Sequence, residues 1–235
     1  MSYESDIHKT QAVILRTLLF TPSANFAELR KVTDLTSDHF TFHIKKLVES
    51  GLVTKHADGY SLSQKGKEYA NRMDTDQNEI EKQPKISVAL VVERNINGRR
   101  EFLTQQRLKQ PYYGFYGRIG GKVQWGESFE DAAARELEEE TGLIADFSYG
   151  YTFHKRDYRV TDKTLLEDKI FIVMYANNAS GTLMKEFEGG KNHWMTQEEL
   201  EQQDKVFESA RDFVQHLDSH IPYHSQSYFY NDDEY

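Results

Sequence analysis

The sequence predicts an α+β protein in two parts: a small helical unit with one hairpin, then a larger sheet flanked by helices. Three observations lead there. Apolar residues recur at helical spacing over the first 70 residues. A polar stretch at 74–84 follows, and short apolar runs of strand length begin at Lys85. The chain has 235 residues with 38% apolar content, enough for two packed cores.

The first helix is expected over 8–20, with Ala12, Leu15, Leu18 and Leu19 at helical spacing. Thr21-Pro22 interrupts it, and a shorter helical pattern runs through Phe26, Leu29 and Val32. A third helix is expected from Ser37, whose side chain can cap it, to Gly51 as a left-handed residue beyond its end. Phe40, Ile44, Leu47 and Val48 form its apolar face. Residues 52–55 and 60–62 alternate about the turn Ala57-Asp58-Gly59 and read as a hairpin, and a fourth helix is expected over 63–73. The segment 74–84 reads as a linker.

Strands are expected at 86–92 and 102–107, joined through the turn Asn97-Gly98, and again around 147–153 and 170–176. Helical patterns at 197–202 and 206–217 close the second unit. Residues 221–235 are aromatic and acidic without a clear period, and read as a tail or a strap over a neighbouring surface.

Composition excludes several classes. No apolar run approaches the roughly 18 residues that a membrane span needs. MSYESDIHKT lacks a basic-then-apolar secretory pattern, and the absence of cysteine removes disulfide, thiolate-metal and thiol-nucleophile chemistry. A cytoplasmic location without membrane attachment is the simplest expectation. The net charge of −9 is uneven: residues 1–70 carry nine Lys/Arg against eight Asp/Glu, and the remainder twenty against thirty. The acidic part needs a bound cation to hold a polyanion.

The most informative stretch is GKVQWGESFEDAAARELEEETGL, 121–143. Ser128 can cap a helix that ends at Gly142. Phe129, Ala133 and Leu137 share one face of that helix; Glu136, Glu139 and Glu140 share another, with Glu127 just before it. Like charges so placed repel, and a hard dication reverses the sign. A glutamate run alone is usually a solvated acidic face. Here Gly121, Glu127, Arg135 and Gly142 also stand at fixed spacing, and the whole pattern matches the signature of the Nudix hydrolases.

That resemblance implies an α/β/α sandwich with a mixed sheet over 85–220. It also implies Mg²⁺- or Mn²⁺-dependent attack of water on the phosphoanhydride of a nucleoside diphosphate linked to a group X. Glu136, Glu139 and Glu140 match the cation-binding positions, with one of them orienting or deprotonating the water instead. A backbone carbonyl at Gly120 or Gly121 joins the metal shell. Arg135 and Glu127 match a pair that props the loop against the helix. A late-loop carboxylate, Glu186 or Glu188, is a further candidate ligand or base, or a plain surface residue. The sequence departs from the family at Ile119, where many members carry a proline. Arg118 is then a candidate for the substrate phosphates. So are Arg107 at the end of the second strand and Tyr116 in the aromatic run Pro111 to Tyr116, which with Trp125 serves either base stacking or packing.

Residues 1–73 resemble a winged helix-turn-helix domain, notably in HIKKLVESGLVTK and YSLSQKGKEYA. The resemblance implies a recognition helix at 37–50, with His39 and Thr41 facing a DNA groove and Lys45 and Lys46 meeting phosphates. Such units also serve in protein contacts and dimers. An alternative reading is therefore a transcriptional regulator whose second domain senses a nucleotide-sugar or related metabolite. Nudix-related regulators commonly carry the winged helix at the other end, and both families include homodimers.

Overall fold

The computed structural model describes residues 7–74, 79–80 and 82–235. The chain separates into two compact units, one up to Lys82 and one from Gln83 onward.

The first unit runs α1 (Lys9–Phe20), α2 (Phe26–Thr33), α3 (Ser37–Glu49), β1 (Val53–Lys55), β2 (Tyr60–Leu62) and α4 (Gln64–Ala70), with β1 and β2 antiparallel. Capping boxes start the first two helices, His8 with Gln11 and Asn25 with Glu28, and each satisfies donors that would otherwise be orphaned. Ser37 does not cap α3. The cap position is Thr36, which makes no side-chain capping bond, and Ser37 is the first helical residue. The core gathers Ile14, Leu15, Leu18, Leu29, Phe40, Ile44, Leu47 and Leu52. Of the segment expected as a linker, residues 75–78 and 81 lie outside the described residues. Its flanks, β3 (Met73–Asp74) and β4 (Glu79–Ile80), pair antiparallel.

The second unit is built on β5 (Lys85–Ile96) and β6 (Arg99–Arg107), joined by the tight turn at Asn97 and Gly98, both at positive φ. There follow β7 (Tyr116–Gly117), β8 (Ile119–Lys122), α5 (Phe129–Thr141), β9 (Leu143–Ile144), β10 (Ser148–Arg159), β11 (Leu165–Ala176), β12 (Ser180–Gly181), β13 (Glu186–Phe187), β14 (Gly190–Met195), α6 (Gln197–Glu201), α7 (Glu208–Asp218) and β15 (Tyr223–Tyr230). The large sheet has the order β13-β14-β6-β5-β11-β10-β15, with β7 beside β6 and β8 beside β5. It is mixed: β5 with β11 and β10 with β15 are parallel, the other pairs antiparallel.

The apolar run of β5 is continuous because both faces of the strand are covered. Val88, Leu90 and Val92 face α5 through Ala132, Ala133 and Leu137; Ala89 and Val91 face α7 through Phe213 and Val214. The helix α5 contributes Ala132 rather than Phe129 to this contact, and Phe129 remains largely exposed. Residues 221–235 are not a free tail. Tyr223–Tyr230 extends the sheet in parallel register with β10, and Tyr228 and Tyr230 are buried against the α7 face. Backbone pairing plus two alternate tyrosines suffices to hold this strand, a period too short to stand out among so many polar residues.

Candidate active site

Arg135 organises the signature segment. Its Nε and Nη2 donate to the two carboxylate oxygens of Glu127 at 2.7 and 3.0 Å, its Nη1 to Glu136 at 2.7 Å and Glu139 at 3.2 Å, and Nη2 again to the carbonyl of Lys122 at 3.2 Å. A planar guanidinium suits this forked recognition. The other end of the loop is tied by the backbone N–H of Gln124, which donates to Glu127 at 2.8 Å. Ser128 caps α5 by accepting from the N–H of Asp131, and Gly142 closes it at φ +70°.

The two glycines before the loop are there for close approach. A Cβ on Gly121 would lie 1.8 Å from the Glu136 carboxyl carbon, and one on Gly120 would lie 2.4 Å from the carbonyl oxygen of Val88. Ile119, in place of the usual proline, pairs with Leu90 and is buried in the α5-side core. The departure is thus a packing solution that keeps the strand bonded.

Glu136 and Glu140 line a cavity of about 560 Å³, with Gly120, Gly121, Arg107 and Arg118. Glu140 accepts from Gln105 Nε2 at 2.9 Å. Burial pushes its carboxyl above the usual range and the Glu136 charge adds to this, while Gln105, Lys109 and Arg107 pull the other way. Glu139 is 60% exposed and does not line the cavity. Arg118 is held by neutral partners, donating to Gln197 at 2.9 Å and Thr104 at 3.3 Å, with its buried Nε unpaired. Burial lowers it to about 10. Arg107 donates to the carbonyls of Pro111 and Gln110 at 2.6 and 3.2 Å, bracing that loop, and burial lowers it as well. Two guanidiniums on neutral partners thus line one cavity, with charge free for an anion.

The structure separates other expected residues from this cavity. Tyr116 does not line it; its ring leans on His193, 6.0 Å away between centroids, and its backbone exchanges hydrogen bonds with Lys205 and Phe207. Glu186 and Glu188 are exposed and lie off the lining, Glu186 facing Lys191 at 3.4 Å. Of the aromatic run, Phe115 is a core residue and Trp125 is fully exposed, whereas Pro111 and the buried Tyr112 do border the cavity. In the first unit, His39, Thr41, Lys45 and Lys46 are exposed on α3. Thr41 donates to the Ser37 carbonyl, Lys45 faces Glu49 at 3.7 Å and Lys46 lies over the Phe42 ring.

The opposite wall carries acids and lysines that no motif in the sequence marks: Lys85, Lys155, Asp157, Glu167 and Lys169. The signal was present in the two strands, where polar residues share alternate positions with Phe153 and Phe171 and therefore an inward face.

The family model for the NUDIX domain matches residues 84–217. The chain belongs to the Nudix family. An ADP-ribose pyrophosphatase of Methanocaldococcus jannaschii is 30% identical over 89 residues, 36% of this chain and 50% of that protein, so the chain spans about half the length of that relative. Among solved structures, the Nudix domain of Shewanella oneidensis NrtR, complexed with ADP ribose, superposes with a TM-score of 0.51 at 17% identity, covering 65% of this chain and 96% of that one. A MutT protein of Bacillus halodurans gives 0.50 at 20% identity, covering 64% and 93%. At these identities the structures speak for the fold.

The donor set of the Nudix domain fits a hard dication. Glu136 and Glu140 present oxygen ligands beside a backbone that Gly121 leaves open, and the cost of keeping Glu140 ionised is what a cation would relieve. Among the described residues no three acidic or histidine side chains already form a closed cage, and Arg135 binds Glu136 and Glu139.

The Arg135 clamp has a titration signature. It holds the Glu127 carboxyl at about 2 instead of 4.5, first through the Arg135 hydrogen bonds and then through the Gln124 N–H. A lowered folded-state value means stability that is present above pH 4.5 and is lost as pH falls through about 2. Carbon-detected NMR titration should place the Glu127 midpoint near 2, returning toward 4.5 in Arg135→Ala. A wild-type midpoint of 4.5 would contradict the clamp.

Proposed function

We propose that the protein is a Nudix pyrophosphohydrolase that cleaves the phosphoanhydride of a nucleoside diphosphate linked to X, with Mg²⁺ or Mn²⁺ as cofactor. The observation that carries this is a cavity whose one wall holds the signature carboxylates Glu136 and Glu140 and whose interior holds Arg118 and Arg107 without carboxylate partners. A cation held by Glu136, Glu140 and Glu139, with a carbonyl of Gly120 or Gly121, would neutralise the diphosphate and acidify a water. Arg118, desolvated and rigidly held, binds the phosphate oxygens; Arg107 fixes the loop that borders them. One of the three glutamates orients the attacking water and takes its proton at a carboxylate oxygen. Arg135 and Glu127 position the loop. ADP-ribose is the first ligand to test, since it figures in the names of the M. jannaschii relative and of the S. oneidensis complex.

The chemistry fits a cytoplasmic nucleotide pool, and among the described residues no helix is long and apolar enough to cross a membrane. With Mg²⁺, Glu139→Gln and Glu140→Gln should each lower kcat by about 10²–10³-fold while circular dichroism stays unchanged. A broad panel of nucleoside diphosphate derivatives showing no cation-dependent hydrolysis would defeat the reading.

A second role is proposed for the first unit, because α3 leaves His39, Thr41, Lys45 and Lys46 exposed together. This face would bind double-stranded DNA, in a homodimer if the site is palindromic, making the chain a ligand-responsive regulator. Binding to the protein's own promoter region should show a salt slope that falls by about one for each of Lys45→Ala and Lys46→Ala. A gel shift without sequence preference at low salt would exclude it.

A further inference from the structure

The wall of the cavity opposite the signature carries three lysines in one row. In the strand registers Lys155 on β10 stands opposite Lys169 on β11, and Lys169 stands opposite Lys85 on β5. All three line the cavity. Like charges directly opposite on neighbouring strands destabilise a sheet, so three in succession call for compensation. The adjacent row supplies only two carboxylates, Asp157 and Glu167, opposite each other. Lys155 donates to Asp157, which also accepts from the Tyr112 hydroxyl at 3.0 Å. Lys85 and Lys169 are left to share Glu167, at 3.0 and 3.5 Å. Burial raises the Glu167 carboxyl, yet the two lysines together hold it below the usual range. The row therefore carries one positive charge more than its own carboxylates balance.

Lys155 is set too deep to be a surface residue. Its side chain is 6% exposed and its ammonium lies 5.2–5.9 Å from the ring centres of Tyr112, Phe207, Tyr228 and Tyr230. Packing and Asp157 account for that one lysine. They do not account for Lys169 and Lys85, which are progressively more open, at 27% and 52%. Over the whole lining, seven Lys and Arg side chains face four carboxylates, in a chain whose net charge is −9. A diphosphate joining two groups brings one charge per phosphate, which Arg107 and Arg118 balance once Glu136 and Glu140 have neutralised the divalent cation they hold. The excess on the far wall needs another anion. Arg107 bridges the two regions, within electrostatic reach of Glu140 on one side and Glu167 on the other.

We propose that Lys85 and Lys169, backed by Lys155, form an anion subsite for a phosphate carried on the X side of the substrate, away from the bond that is cleaved. The preferred substrates are then nucleoside diphosphates whose X group is itself phosphorylated. This rests on the phosphoanhydride reading above, and it deepens that reading by naming what the far wall selects.

The test pairs ADP-ribose with ADP-ribose bearing one extra phosphate on its distal ribose, on the full chain. Calorimetry in EDTA reads the subsite without turnover. The phosphorylated ligand should bind at least about tenfold more tightly. That ratio should collapse toward one in Lys169→Met and in Lys85→Gln, the latter altering a half-exposed side chain. With Mg²⁺, the same ratio should appear in KM rather than kcat. Equal affinities in the wild type, or a preference that survives both variants, would overturn the subsite. If the binding preference holds while neither ligand is hydrolysed, the subsite stands and the hydrolase reading falls.

Discussion

One guanidinium holds the site together. Arg135 binds Glu127 on the loop, Glu136 and Glu139 on its own helix and the carbonyl of Lys122 at the end of β8, so strand, loop and helix meet on a single side chain. Without it, closely spaced carboxylates would repel one another in a partly desolvated setting. The arrangement works only because Gly121 has no side chain, since the Glu136 carboxylate occupies the space a Cβ would take. The signature is in this sense a packing motif as much as a chemical one.

The sheet sets where that assembly faces. β5 is covered on both sides, by α5 through Leu137 and by α7 through Phe213, and β8 pairs with it to bring Gly120 and Gly121 to the cavity. Across the same sheet, β10 and β11 deliver lysines and carboxylates to the far wall, and β15 packs Tyr228 and Tyr230 against the Lys155 ammonium. An acidic chain thus encloses a cavity lined by more cations than carboxylates. Local charge placement, rather than net charge, decides what such a cavity binds.

Much of this was legible in the sequence. Helical spacing located α1, α2 and α3, Asn97-Gly98 marked the β5–β6 turn, and the spacing from Gly121 to Leu143 outlined the Arg135 assembly. What escaped reading depended on partners distant along the chain. Nothing local says that Ile119 exchanges a proline for a place in the α5-side core, or that Tyr116 turns toward His193. The far wall was hidden because Lys155 and Lys169 meet only through strand register. Glu186 and Glu188 were drawn in by position after the helix, yet the β13–β14 hairpin leaves them facing solvent. The C-terminal strand was unreadable for a similar reason: its pairing with β10 is parallel and spans the intervening α7.

The proposed cation site depends on the close fit of Glu136 against Gly121. Mn²⁺ binding followed by electron paramagnetic resonance, on the wild type and on Gly121→Ala, reads that dependence. The atoms nearest to the added methyl are the flexible carboxylate end of Glu136, so the fold should survive while the carboxylate is displaced. Mn²⁺ affinity should be lower by about 10–100-fold in Gly121→Ala, with unchanged circular dichroism. Equal Mn²⁺ affinity in the two proteins would contradict it.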